Sequence, residues 1–439
     1  MTTGGSGRIS RETVRRAALR LVGPPLALAG KVARRASPAT PGKPLRVLLI
    51  RPDHLGDMLL AGPAAIIVAA ALPGAQIDWL VGPWAAEIAR RCGGPGEVLT
   101  VPFPGFTRTP KASPLEPYRL LLHEAAQLRA CHYDAALILR PDHWWGAMLA
   151  AAAGIPRRFG FNVAECRPFL TDTLPLPTGE QRHAVLMNQA LAREAAVRLG
   201  PIAASNAVLS SHFPLDPADE AWARAWIDGL PDAEPAVPSP TALSDAARSR
   251  SPLVVVHPGS GALLKNWPSA RWAEVARHLR EQAGAQVVLT GGPAENSLVA
   301  SVAALLDPPP PALVGATTLG QLAALFANAD VVLGGDSGPL HLAAAVGTPT
   351  VRVYGPTDAA EFGPWPPGPQ QIALAAGLFC QPCRALVNPP CGAIEQPACL
   401  DAIQAQSVVV AALSVLGRKH LGRVSGAPEQ PPASMPLGS

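Results

Sequence analysis

The sequence predicts two tandem, doubly wound α/β domains, and three observations carry the prediction. Apolar β-branched or leucine-rich runs recur ahead of Gly/Pro loops and alanine-rich helical stretches, the grammar of sheets covered by helices. The chain has 439 residues, more than one hydrophobic core fills, so two domains of about 150–200 residues each are expected. Between Pro231 and Pro252 lies a Pro-, Ser-, Ala- and Asp-rich stretch with five prolines and no apolar period, which separates two such series.

The first series opens with the strand Arg46–Ile50, passes through the loop Arg51-Pro52-Asp53-His54-Leu55-Gly56-Asp57 and enters a helix from about Met58 to Leu72. Further strands are expected at Gln76–Val81, Tyr133–Leu139 and Arg157–Phe161, with a helix through Trp145–Ala153. The second series restarts at Leu253–His257 and continues with strands at Gln286–Thr290, Val331–Gly334 and Thr350–Tyr354. The expected division is a basic extension over 1–43, an N-terminal domain over 44–230, a linker or insertion over 231–252, a C-terminal domain over 253–424 and a disordered tail over 425–439. Such sheets bind ligands at the carboxyl ends of their strands, so the two loop sets are expected to face one central cleft.

Apolar residues make up 48% of the chain and charged residues 15%, yet no stretch offers the roughly 18 uninterrupted apolar residues of a bilayer span. Integral membrane insertion is therefore not expected. Residues 1–43 hold nine Lys/Arg and one Glu, against 27 basic and 31 acidic residues elsewhere, so a basic N-terminus precedes a mildly acidic body. That segment brackets the apolar run Ala17–Ala29 with arginines and Lys31, and either lies on an anionic membrane surface or is a basic tail. No small-residue cleavage site follows it, and seven cysteines are no disulfide framework for this length, so a cytosolic protein is expected. No nucleic-acid partner is expected.

Two loops carry phosphate-binding chemistry. The strand Leu253–His257 ends in Pro258-Gly259-Ser260-Gly261, followed by Lys265-Asn266-Trp267-Pro268. Glycines let backbone N–H groups approach an anion, Ser260 adds a hydroxyl and Lys265 a point charge, although a turn with a solvated lysine has the same appearance. Val331–Gly335 runs into Asp336-Ser337-Gly338-Pro339 and a helix, which puts Ser337 and Gly338 where unpaired N–H groups and the helix dipole favour a diphosphate. Asp336 is alternatively an N-cap, and His341 a packed core histidine. Glu295 follows a strand at Gly291-Gly292-Pro293-Ala294 and is suited to accept from ribose hydroxyls, or simply starts a helix. Arg140, after the Ala135–Leu139 strand, suits an anionic acceptor or an ion pair.

These blocks, with Arg271-Trp272, the run Gly335 to Ala344, Gly347-Thr348-Pro349-Thr350 and Tyr354-Gly355-Pro356-Thr357, resemble the family 9 glycosyltransferases, the lipopolysaccharide heptosyltransferases. The Arg51–Asp57 loop resembles that family's opening loop, and the match runs in order over about residues 46–400. The resemblance implies a GT-B fold, two Rossmann-like domains with the acceptor on the first and a nucleotide-diphosphate sugar, ADP-heptose or similar, on the second. It implies inversion without a metal cofactor, a lipid-linked glycan acceptor of the cell envelope, and a peripheral position at the inner face of the cytoplasmic membrane. Matched residue by residue, Asp57 falls on the general base, Lys265 on the phosphate-binding lysine, and Asp336, Ser337 and Gly338 on the donor loop; Glu295 falls near the ribose contact.

An inverting transfer needs a base on the acceptor hydroxyl while the diphosphate leaves from the opposite face, and Asp57 near a helix start suits this role, or caps the helix. Lys265 and helix N–H groups can neutralise the leaving group in place of a metal. His54 is read as orienting the acceptor or Asp57. Cys380, Cys383, Cys391 and Cys399 lie within twenty residues at a spacing that suits structural zinc, disulfides or free packed thiols. Two rivals share the fold: a nucleotide-sugar epimerase and a catalytically silent binding protein. A Rossmann dehydrogenase lacks support, because neither opening loop reads G-x-G-x-x-G.

Overall fold

A computed structural model of the chain describes residues 44–94, 96–107, 113, 115–200, 207–231 and 251–425. The readings made for 1–43, for most of 231–252 and for 426–439 lie outside them. The described residues form two compact units, one ending at Val208 and one beginning at Leu209, with Leu55–Leu60 grouped in the second.

The first unit runs β1 (Arg46–Arg51), α1 (Leu55–Ala71), β2 (Gln76–Val81), α2 (Ala86–Cys92), β3 (Val98–Thr100), α3 (Glu116–Ala130), β4 (Ala135–Ile138), α4 (Trp144–Ala152), β5 (Arg157–Phe161), β6 (Asp172–Leu174) and α5 (Ala184–Leu199). All strands pair in parallel, in the order β3-β2-β1-β4-β5-β6. Val47, Leu48, Leu49 and Ile50 are all fully buried, as expected of a strand covered on both faces, and this is why β1 reads as a continuous apolar run. Leu48, Ile50, Ala136 and Ile138 join Leu121, Leu128, Trp145 and Leu149 in one core cluster.

The second unit begins with α6 (Pro217–Asp228) and continues β7 (Leu253–His257), α7 (Ser269–Ala283), β8 (Gln286–Gly291), α8 (Asn296–Ala303), β9 (Ala312–Val314), α9 (Leu319–Asn328), β10 (Val331–Gly335), α10 (Gly338–Ala345), β11 (Thr350–Tyr354), α11 (Ala359–Phe362), β12 (Gln371–Ala375), α12 (Ala398–Asp401) and α13 (Ala405–Ser425). Its parallel order, β12-β11-β10-β7-β8-β9, is the same topology written in reverse. Val254, Val256, Leu333 and Val353 pack with Trp272, Val275 and Leu279 of α7 and Val408, Ala412 and Val415 of α13. Local chemistry fixes the helix ends: Gly284 turns left-handed (φ 58°) to close α7, and Thr318 and Gln321 form a reciprocal capping box at α9. No helix among the described residues is long and apolar enough to cross a membrane.

Two boundaries differ from the sequence reading. The first unit ends near 208 rather than 230, because α6 packs against α9 and the Phe213 N–H donates to the Ala345 carbonyl at 3.1 Å. Helix α1 starts at Leu55, three residues before the expected Met58, so Asp57 lies in its first turn and His54 is the N-cap, with no side-chain cap bond.

In each unit, strand order reverses beside the first strand of the series, between β1 and β4 and between β7 and β10. In sheets of this topology the loops leaving the strands on either side of such a reversal diverge, and ligands bind at the carboxyl ends there.

Candidate active site

In the second unit the β7 and β10 loops meet at that reversal. Gly334 and Gly335 end β10 without side chains: a Cβ at Gly334 would lie 2.7 Å from the His257 carbonyl, and one at Gly335 3.2 Å from the Lys265 carbonyl. The absent side chains let the Lys265 turn pack across the strand end. Trp267 anchors the turn, fully buried, with its indole N–H donating to Leu400 O at 3.1 Å and its ring 4.8 Å edge-on from Trp272.

Lys265 Nζ thereby reaches across 71 residues of sequence to donate to the Asp336 carbonyl at 2.7 Å and to Asp336 Oδ2 at 3.1 Å. Burial alone would raise the Asp336 carboxyl, but Lys265 and the His341 ring outweigh it and hold the group well below the usual carboxylate range. His341 Nε2 stands 3.8 Å from Asp336 Oδ1, and its Nδ1 lies 3.3 Å from Arg352 Nη1. A guanidinium only donates, so Nδ1 accepts and the His341 proton sits on Nε2, facing Asp336. Burial pushes the His341 ring's pKa down, which keeps the ring neutral.

Asp336 is therefore no N-cap. Ser337 is the N-cap of α10, its hydroxyl buried and without a hydrogen-bond partner among the described residues, and Pro339 occupies the first turn. An unused hydroxyl, the unpaired N–H groups of an eight-residue helix and an ammonium on the same loops make an anion-binding arrangement.

Gly259 and Ser260 serve the loop itself. The Ser260 hydroxyl lies 2.8 Å from both Asn266 Oδ1 and Ala262 O, so it shapes the turn and is not a ready phosphate donor as expected. A Cβ at Gly259 would sit 2.0 Å from Glu295 Oε1, so the close approach this glycine permits is that of a carboxylate; Gly261 has open space around it. Glu295 Oε2 accepts from the Gly292 N–H at 2.7 Å and lies 3.4 Å from His257 Nε2.

In the first unit, Asp53 occupies the position after β1, buried, with its Oδ2 2.7 Å from Arg51 Nε and its Oδ1 bonded by Arg140 Nη1. The Arg51 contact is close but not aligned as a hydrogen bond. Burial opposes ionisation of Asp53, and the two arginines outweigh it, so its carboxyl is held low. Arg140 also bonds Asp142 at 2.7 Å, which makes the ion-pair alternative for Arg140 a fact of the structure. His143 is buried between Phe103 and Phe106, neither ring nitrogen has a hydrogen-bond partner among the described residues, and burial pushes it down to about 3. His54 is exposed, 5.1 Å from the Trp84 ring. Half-buried Asp57 lies in the Leu55–Leu60 turn, which groups with the unit that carries Lys265 and Asp336.

Four residues central to these clusters were given no role by the sequence reading: Asp53, His143, His257 and Arg352. Arg352 left the clearest signal, a lone charge inside the apolar strand Thr350–Tyr354. Cys380, Cys383, Cys391 and Cys399 line one pocket with Leu264 and Pro356, and all are free thiols. Among the described residues no three His, Cys, Asp or Glu side chains converge to hold a metal ion, so the zinc expectation finds no support there.

The comparisons agree with this architecture. Lipopolysaccharide heptosyltransferase 1 of Pseudomonas aeruginosa is 26% identical over 348 residues, 77% of this chain and 86% of that protein. Lipopolysaccharide heptosyltransferase 3 of Escherichia coli is 38% identical over 115 residues, 26% of this chain and about a third (34%) of that protein. The solved structure of E. coli ADP-heptose lps heptosyltransferase II superposes with a TM-score of 0.62 at 21% identity, covering 85% of this chain and 99% of that one, and shares its GT-B fold. The profile of Glycosyltransferase family 9 (heptosyltransferase) matches residues 122–390, and the chain, a glycosyltransferase, belongs to that family.

Proposed function

We propose that this chain transfers a heptose or closely related sugar from ADP-heptose to a lipopolysaccharide-core or similar cell-envelope glycan acceptor, inverting the anomeric centre without a metal ion. One observation carries the reading: Lys265, Asp336, Ser337 and the N-terminus of α10 converge at the strand-order reversal, where a diphosphate would find an ammonium, a hydroxyl and helix N–H groups. As the glycosidic bond breaks, charge builds on the departing diphosphate. Lys265, held by Asp336, and the amides of α10 are already oriented toward that charge and need no reorganisation. Asp336 sets the ammonium's position, and His341 with Arg352 sets Asp336. Gly338 carries no side chain, and a Cβ there would lie 2.8 Å from Leu55 Cδ2.

Asp57 is assigned as the base that takes the acceptor hydroxyl's proton, and His54 and Arg140 as acceptor-side groups, with Arg140 held in place by Asp53 and Asp142. Glu295 is assigned to the ribose, since it follows the second strand of the series, where dinucleotide-binding sheets carry their ribose carboxylate. The excess positive charge of residues 1–43 supports binding to an anionic inner leaflet, where a lipid-linked acceptor would be met.

A thermal-shift screen of ADP-, UDP- and GDP-linked sugars tests the donor. ADP-heptose is expected to raise the melting temperature most, by the linkage of ligand to fold. Equal or larger shifts with UDP- or GDP-linked sugars would overturn the donor assignment.

A further inference from the structure

Buried His257 touches two polar side chains, Thr290 Oγ1 at 3.0 Å from its Nδ1 and Glu295 Oε2 at 3.4 Å from its Nε2. It ends β7, Thr290 lies in the neighbouring strand β8, and Glu295 follows β8, so three successive parts of one nucleotide-binding unit meet at a single ring. A carboxylate only accepts, which puts the imidazole proton on Nε2 and leaves Nδ1 to accept from the Thr290 hydroxyl. The tautomer is thus set by the Glu295 carboxylate, and the Thr290 hydroxyl, which can donate to Nδ1, holds the ring in its plane.

The carboxylate is fixed from three sides. Gly292 N–H and His257 Nε2 both address Oε2, while Oε1 lies over Gly259 at a distance no Cβ would tolerate. The Gly292 bond is the capping contact of a glutamate at a helix start, but a surface capping glutamate needs neither the His257 contact nor the glycine beneath Oε1. Its side chain is one-fifth exposed and would otherwise sample several rotamers, so holding it is consistent with a carboxylate that must meet a ligand in one orientation.

We propose that His257, braced by Thr290, is a positioning residue that fixes Glu295 for recognition of the donor's ribose hydroxyls, and so sets the preference for ribo- over deoxynucleotides. The proposal rests on the assignment of Glu295 to the ribose. It assigns His257 no contact with the nucleotide; His257 acts through the carboxylate alone.

Calorimetric titration of the full chain with ADP, 2′-deoxy-ADP and 3′-deoxy-ADP tests it. The wild type is expected to bind ADP about 5- to 20-fold more tightly than the analogue lacking the hydroxyl that Glu295 accepts from, between the worth of a neutral hydrogen bond and the lower end of a charge-assisted one, since Glu295 is partly exposed. His257→Phe, which keeps a ring and removes the N–H, should lose that ratio by weakening ADP while leaving the deoxy analogue within about twofold. His257→Gln places an amide N–H near the position of Nε2 and should restore most of the ratio. Thr290→Val, a milder change, should lower it in the same sense and serves if His257→Phe does not fold. An unchanged ratio in both His257→Phe and Thr290→Val, with the ratio lost in Glu295→Gln, overturns the positioning role and spares the ribose assignment. Equal weakening of all three nucleotides by His257→Phe shows a merely structural histidine and also overturns it. A wild type that does not distinguish ADP from either analogue overturns the ribose assignment, and the inference with it.

Discussion

Replacing Lys265 by Met should invert the pH dependence of stability in the second unit. Lys265 Nζ stands 3.1 Å from Asp336 Oδ2 and 2.7 Å from its carbonyl, and Met keeps the stem while removing the charge. Asp336 is then a buried carboxylate left with the neutral His341 ring beside it. Removing one partner of a buried pair costs about 3–5 kcal/mol. Lys265 is 15% exposed and the stranded carboxyl can take up a proton, so the cost falls below that range, at about 2–3 kcal/mol at pH 7. For a unit of roughly 200 residues this is a melting shift of about 4–12 °C. In the wild type the folded carboxyl titrates below its unfolded value, so its contribution is present above about pH 4 and is lost as pH falls through the folded pKa. In Lys265→Met burial, already the largest influence on Asp336, is opposed by the His341 ring without the ammonium, and the folded pKa is expected to rise above the unfolded one. Stability should then be lost as pH rises from about 4 to 7. Scanning calorimetry at pH 5 and pH 8 reads the effect in the transition that responds to ADP in the wild type. Melting within about 1 °C of wild type at both pH values would refute the coupling of Lys265 to a buried charged Asp336.

Three further outcomes follow from single contacts. Gly259→Ala should mimic Glu295→Gln, because its Cβ would meet Glu295 Oε1 at 2.0 Å; titration should show ADP binding weakened by about 5- to 20-fold, and wild-type affinity would contradict the packing. Arg352→Met strips a fully buried guanidinium from Leu340 O, Thr350 Oγ1 and His341 Nδ1, and should lower the second unit's stability by about 1–3 kcal/mol in denaturant titration, whereas a neutral result would show those acceptors satisfied otherwise. Lys265→Met should also weaken ADP more than adenosine in the same titrations, since only ADP carries the diphosphate; equal losses would remove Lys265 from the phosphate site.

Much of this was legible because the central strands are buried on both faces. Arg46–Ile50, Leu253–His257 and Val331–Gly334 read as apolar runs, and the loops after them name the site. The edge strands β3, β6, β9 and β12 went unread, being three to five residues long and partly exposed, with no run to mark them. The break at 208 was hidden because α6 is amphipathic whichever unit it covers, and only its packing on α9 assigns it. Lys265 and Asp336 were each legible as site residues, but not as a pair, since pairing across 71 residues depends on which strands are neighbours. The same holds for Gly259 and Ser260: a glycine-rich loop announces close approach without saying what approaches, and here the answers are the Glu295 carboxylate and the loop's own Asn266.

The proposed sugar transfer with Asp57 as the base is tested by the turnover of Asp57→Ala with ADP-heptose and a lipopolysaccharide-core acceptor. In Asp57→Ala kcat is expected to fall by about 10²- to 10⁴-fold, the worth of a general base, while ADP affinity stays within about twofold of wild type. Transfer by Asp57→Ala at the wild-type rate would contradict it.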